Sequence, residues 1–88
     1  MRRNENFILR HTADLTVILP VGLASVNFPG MISVNETGAF LWELLAQEQT
    51  ADTLTEALTE AYEVEFGGAR EDVDRFLEQL RPAGALVE

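Results

Sequence analysis

The stretch MISVNETGAF, Met31 to Phe40, changes period in its middle, and this limits the fold more than any other feature of the chain. Up to Val34 the residues suit a short strand; beyond Asn35 the apolar positions Phe40, Leu41, Leu44 and Leu45 recur at helical spacing. Asn35 fits the boundary because its side-chain oxygen can accept from one of the unpaired backbone N–H groups of a helix beginning at Glu36. Glu36 in the first turn adds a small favourable interaction with the helix dipole. The expected helix runs from about Glu36 to Ala46. With Phe40, Leu41, Trp42, Leu44 and Leu45 it is apolar over more than half its circumference, so it has to be covered on most sides.

Before that junction the chain reads as strands. Phe7, Ile8 and Leu9 form one apolar run, and LTVILPV, Leu15 to Val21, forms a second, which Pro20 must end or place at an edge because proline cannot donate to a ladder. Leu23, Ser25 and Asn27 alternate with Ala24, Val26 and Phe28, which predicts a further strand, joined through a Pro29-Gly30 turn to the strand Met31 to Val34. After it, Thr50 is the expected cap of a second helix, in which Leu54, Leu58, Ala61 and Tyr62 draw one apolar stripe. Val64, Phe66 and Gly67-Gly68 read as a connector. A third helix is predicted over about Ala69 to Arg81, with Val73, Phe76, Leu77 and Leu80 inward and Pro82 and Gly84 closing it. The short apolar tail, Ala85 to Glu88, is expected to return as an edge strand. Strands followed by helices predict an α+β fold of winged-helix-like type: a small antiparallel N-terminal β-sheet of three to four short strands followed by three helices, in a single domain over residues 1–88.

Composition removes several functions. A chain of 88 residues can bury one modest core. Its net charge of −9, from 15 acids against 6 bases, repels phosphate backbones and anionic lipid headgroups. The bases, Arg2, Arg3, Arg10, Arg70, Arg75 and Arg81, are scattered, so neither nucleic acid nor a membrane is an expected partner. The absence of cysteine excludes disulfides, thiolate metal sites and a thiol nucleophile. No apolar run approaches the ~18 residues of a membrane span, and MRRNENF leads into a strand pattern instead of a signal-peptide segment, so the expected location is the cytoplasm.

Reactive groups are missing from the positions where catalysis needs them. His11 sits where a strand meets a turn and reads as a packed or solvated side chain, not as a general base. Ser25 and Ser33 lie outside any GxSxG elbow. Glu71, Asp72, Asp74 and Glu78 read as a solvated helix face, and Gly67-Gly68 lacks the lysine and spacing of a phosphate loop. Asn35-Glu36-Thr37 matches a glycosylation sequon but reads as a helix cap. The expectation is a protein that is not an enzyme and uses no cofactor and no metal. Such a domain can bind through its backbone, an extended peptide pairing with an open sheet edge while its side chains enter a neighbouring groove. The strand Met31 to Val34 offers the edge and the helix Ala69 to Arg81 the wall. An open edge can also join two copies into a homodimer.

The run from Met31 to Leu45, MISVNETGAFLWELL, resembles the hallmark segment of PqqD-like proteins. The resemblance continues through FILRHTADLTVILPVG, TLTEALTEAYEV and REDVDRFLEQLRPAGALVE and so covers nearly the whole chain. It implies a winged-helix-like peptide-recognition element that captures the leader segment of a ribosomally made precursor peptide. The domain then presents the core segment to a separate modifying enzyme, often a radical S-adenosylmethionine enzyme. The leader would add beside Met31, Ile32, Ser33 and Val34 and lie against the third helix near Arg70, Val73, Asp74, Leu77 and Arg81. The chain departs from the family pattern at Gly67-Gly68, which weakens the helix start, and at Pro82, which shifts its end. The long segment Leu23 to Phe28 favours a peptide-modifying subgroup over pyrroloquinoline-quinone synthesis itself.

Other readings use the same elements. In a winged-helix DNA-binding domain, Arg70, Arg75 and Arg81 would lie on the recognition helix, but the interleaved acids give that helix a net negative charge. A carrier protein needs a serine at a helix start in an Asp-Ser-Leu context, and the chain has no such triplet. A structural subunit of a complex is the remaining reading.

Overall fold

The apolar runs near the N-terminus form strands because each alternates a side chain that reaches the helices with one that does not. In the computed structural model, which describes residues 1–27 and 30–88, the elements are β1 (Arg2–Arg3), β2 (Phe7–His11), β3 (Thr16–Pro20), α1 (Ala24–Asn27), β4 (Ile32–Val34), α2 (Glu36–Leu44), α3 (Ala51–Tyr62), α4 (Phe66–Ala83) and β5 (Leu86–Val87). A three-stranded antiparallel sheet has the order β2-β3-β4, and a separate two-stranded sheet pairs β1 with β5. In the larger sheet Phe7 lies opposite Pro20 and His11 opposite Thr16, while Ile18 lies opposite Ile32 and Thr16 opposite Val34. The smaller sheet ties the two chain ends together, Arg2 opposite Val87 and Arg3 opposite Leu86, as expected of a returning tail.

The segment after Pro20 differs from the predicted strand. Ala24–Asn27 is one turn of helix. It starts from Gly22, whose φ of 60° lies in the left-handed region, and Ser25 donates to the Gly22 carbonyl through its backbone N–H at 3.2 Å and its hydroxyl at 2.8 Å. The physical reason lies in the ladder: β4 pairs back onto β3 antiparallel, so the residues between them form the connection between two adjacent strands and have no strand of their own to pair with. The expected Pro29-Gly30 turn includes Pro29, which lies outside the described residues.

The helix boundaries follow from their caps. The Asn35 side-chain oxygen accepts from the Gly38 N–H at 2.9 Å and from the Thr37 hydroxyl at 2.9 Å, starting α2 where the period changes. Thr50 and Thr53 form a reciprocal capping box at the start of α3, with bonds of 3.0 and 2.8 Å. The connector assigned to Gly67-Gly68 is instead the first turn of α4, which begins at Phe66 and closes through Ala69 N–H to the Glu65 carbonyl at 3.0 Å. Glu65 makes no side-chain cap. Packing holds this turn, because Ala69 is wholly buried and glycine propensity alone disfavours it. At the other end Pro82 is accommodated in the last turn. Gly84, at φ 79°, reverses the chain, and Ala85 N–H closes back on the Leu80 carbonyl at 3.1 Å.

One core joins the layers. Phe7, Ile18 and Ile32 from the sheet meet Leu41, Trp42 and Leu45 after the junction, Leu54 and Leu58 of α3, and Ala69, Val73, Phe76, Leu77 and Leu80 of α4. Burial of each large side chain stabilises by about 1.5–3 kcal/mol. Trp42 sits almost fully inside, which accounts for the apolar breadth of α2. No described helix is long and apolar enough to cross a membrane.

Candidate functional site

The β4 strand has β3 on one side and, among the described residues, no strand on the other. Which of its backbone groups face the open side follows from the ladder parity. The Thr12 N–H donates to the Leu15 carbonyl at 2.7 Å and the Val21 N–H to the Asn6 carbonyl at 2.8 Å. These are the two ends of one register, so Ile8 and Arg10 turn their backbone groups towards β3, and Thr16 and Ile18 turn theirs towards β4. Ile32 and Val34 therefore complete the ladder with β3, while the N–H and C=O of Ser33 point outwards. Pro20 has no N–H to extend this ladder past Ile18, which keeps β4 short.

Beside this edge lies a groove of about 440 Å³ between the β4–α2 junction and α4. Its near side carries Ser33, Val34, Asn35, Thr37 and Gly38; its far side carries Asp72, Arg75, Phe76 and Gln79. Leu41 and Phe76, both buried, supply an apolar floor. Gly38 packs closely at its near side. A Cβ there would stand 3.1 Å from the Val34 Cβ and 3.4 Å from the Phe76 ring, so a side chain at this position would require its neighbours to give by a few tenths of an ångström. Arg75 bonds Asp72 at 3.1 Å along the rim, and both side chains remain largely in solvent.

The residues expected at a binding face are distributed as follows. Ser33 and the exposed Met31 lie along the open edge, Ile32 is turned into the core and Val34 is half-buried beside the groove. Val73 and Leu77 belong to the core of α4 and do not reach its surface. Arg70 bonds Asp52 at 2.6 Å and Asp74 at 3.1 Å, tying α4 to the start of α3. Those bonds, the one to Asp74 first, raise its pKa above the usual arginine value and fix the positive charge. Arg81 bonds Glu88 and Glu78, each at 3.0 Å, joining α4 to the chain end; the bond to Glu88 foremost raises its pKa likewise. None of Arg70, Val73, Asp74, Leu77 or Arg81 lines the groove. The helix residues that do, Asp72, Arg75, Phe76 and Gln79, keep the spacing of Arg70, Val73, Asp74 and Leu77 but stand two positions later. At about 100° per residue that is nearly the opposite side of α4. Phe76 was legible as part of the inner stripe; Asp72, Arg75 and Gln79 carried no signal separating them from the solvated face.

The remaining polar candidates have structural partners. His11 Nδ1 lies 2.9 Å from the hydroxyl of Thr16, its cross-strand neighbour. Among the described residues no group of three or more His, Cys, Asp or Glu is arranged to hold a metal ion.

A fold of this arrangement occurs in the solved structure of TbiB1 in complex with the TbiA(beta) leader peptide, with a TM-score of 0.74 over 98% of this chain and 94% of that one, at 20% sequence identity. Comparison with curated proteins gives no match. The family model of coenzyme PQQ synthesis protein D, PqqD, matches residues 16–86, from the first residue of β3 into β5 and through both walls of the groove, and the chain belongs to the PqqD family.

Proposed function

We propose that this domain is a non-catalytic recognition element for the leader segment of a ribosomally made precursor peptide. The leader adds as a strand beside β4, and the domain presents the rest of the peptide to a separate modifying enzyme, of which radical S-adenosylmethionine enzymes are one class. The observation that carries this reading is the outward-directed backbone of Ser33 beside an apolar-floored groove. Membership of the PqqD family and the likeness to TbiB1, solved with a leader peptide, support it.

The division of labour is physical. Backbone bonds to Ser33 fix the register of the guest without regard to its sequence, and side chains entering between Val34, Leu41 and Phe76 discriminate by shape and apolarity. Arg75 offers the rim a guanidinium for a guest carboxylate, in exchange with Asp72. In this reading Met31, Ser33 and Val34 contact the guest, together with Asp72, Arg75, Phe76 and Gln79. Ile32, Val73 and Leu77 support them from the core, and Arg70, Asp74 and Arg81 hold α4 in place.

Titration of the ¹⁵N-labelled chain with leader segments of precursor peptides encoded beside its gene tests the proposal. Amide shifts centred on residues 31–34 and 72–79 are expected. A folded sample giving no shifts with any of these peptides, or shifts confined elsewhere, would overturn it.

A further inference from the structure

The sheet has a second open edge. By the same parity that turns Ile8 and Arg10 towards β3, the backbone groups of Leu9 and His11 face away from it, and among the described residues no strand occupies that side. A cavity of about 540 Å³ adjoins this edge, lined among others by Arg2, Arg3, Glu5, Leu9, Trp42 and Glu43. It lies on the other flank of α2 from the groove, which takes Thr37, Gly38 and Leu41 from that helix.

The arginines of the chain divide in two. Arg70, Arg75 and Arg81 are each closed by a carboxylate at 2.6 to 3.1 Å. Those near the β2 edge are not. Arg3 is held over the Trp42 ring at 5.6 Å and donates to the Trp42 carbonyl at 3.2 Å, while its nearest acid, Glu43, stands at 3.9 Å. Its side chain remains 30% exposed, so further guanidinium N–H groups can be reached. Arg2 and Arg10 take part in no ion pair among the described residues. Arg10 lies opposite Val17 on β3, which offers no counter-ion, and by strand alternation it shares a sheet face with Ile8. Arg2, Arg3 and Arg10 outnumber the acids that line the cavity, Glu5 and Glu43, whereas in the whole chain 15 acids stand against 6 bases, so the balance of charge is locally reversed at this edge.

The geometry points to a second docking surface at the β2 edge, for an extended, carboxylate-bearing segment of a partner protein. Such a segment pairs its backbone with Leu9 and His11 and places an acid opposite Arg10 and another within reach of Arg2 and Arg3. The surface is separate from the groove and does not depend on what the groove binds. A partner seated there leaves β4 free for a guest.

The probe is a synthetic ten-residue peptide alternating glutamate and valine, added to the ¹⁵N-labelled chain at low salt, with a lysine-valine peptide as control. Saturable shifts of the Leu9 and His11 amides and the Trp42 indole are expected with the acidic peptide alone. Binding should weaken as salt rises, and Arg10→Glu, an exposed substitution, should weaken it roughly five-fold. The proposal is overturned if the acidic peptide shifts only residues 31–34 and α4, if the lysine peptide binds equally, or if neither peptide shifts β2. It is also overturned if the β2 shifts appear on raising protein concentration without peptide, since a second copy then fills the edge.

Discussion

Ser33→Pro separates guest pairing from sheet integrity. Proline at 33 removes the outward N–H but leaves the Ile32 and Val34 donors that hold β4 to β3. Calorimetry should show leader affinity falling roughly tenfold, the scale of one lost backbone hydrogen bond, while the thermal midpoint changes little. Ile32→Pro or Val34→Pro, by contrast, removes a ladder donor facing β3 and should lower the midpoint strongly whatever the peptide does. Another residue reports on strain alone: Glu63 ends α3 at φ 53°, a left-handed conformation that costs a side-chain-bearing residue about 1 kcal/mol. Glu63→Gly should therefore raise stability by up to about 1 kcal/mol in urea unfolding, and a decrease would show that the Glu63 side chain has a stabilising role. Asn35 as a cap was legible because its chemistry is local; the outward direction of Ser33 was not, because parity is set by the turn between β2 and β3, about twenty residues away.

At the scale of elements, α4 decides the site. Its apolar stripe was readable from spacing, and Val73, Leu77 and Leu80 are buried as that stripe requires. The face beside the groove was not readable, since acids and arginines recur over the whole exposed side of the helix and only the position of β4 distinguishes them. A pair of charge reversals follows from this placement. Arg75→Glu, on the groove rim, should weaken an acidic leader several-fold, whereas Arg81→Glu, paired to the chain end, should leave its affinity unchanged. Equal losses from both would move the site along α4. The short α1 shows the reverse failure, an alternating pattern without a partner strand. Leu23 and Val26, 87% and 76% exposed, pack against little. Replacing both with serine should alter unfolding free energy by less than about 0.5 kcal/mol per site, as expected away from core or caps.

For the whole molecule, charge opposes compactness. With a net charge of −9 and ion pairs that are mostly on the surface, adding salt should relieve more repulsion than attraction, so the urea midpoint should rise between low ionic strength and about 0.2 M. A falling midpoint would mean that the arginine–carboxylate bonds along α4 outweigh the net repulsion. Sequence alone determined the α+β class, the strand-to-helix junction at Asn35, the cap at Thr50, the inward Leu54 and Leu58 of α3 and the buried stripe of α4, because period, capping chemistry and turn residues act within a few positions of themselves. The resemblance of residues 31–45 carried the family. Ala61, expected on the α3 stripe, is exposed and Thr55 is buried in its place. The pairing of β4 with β3 across α1, the partnership of β1 with β5, the early start of α4 through two glycines and the groove-lining face of that helix were decided only in the tertiary structure. Each depends on which distant segments compete for the same hydrogen bonds and the same buried surface, and no local pattern records that competition.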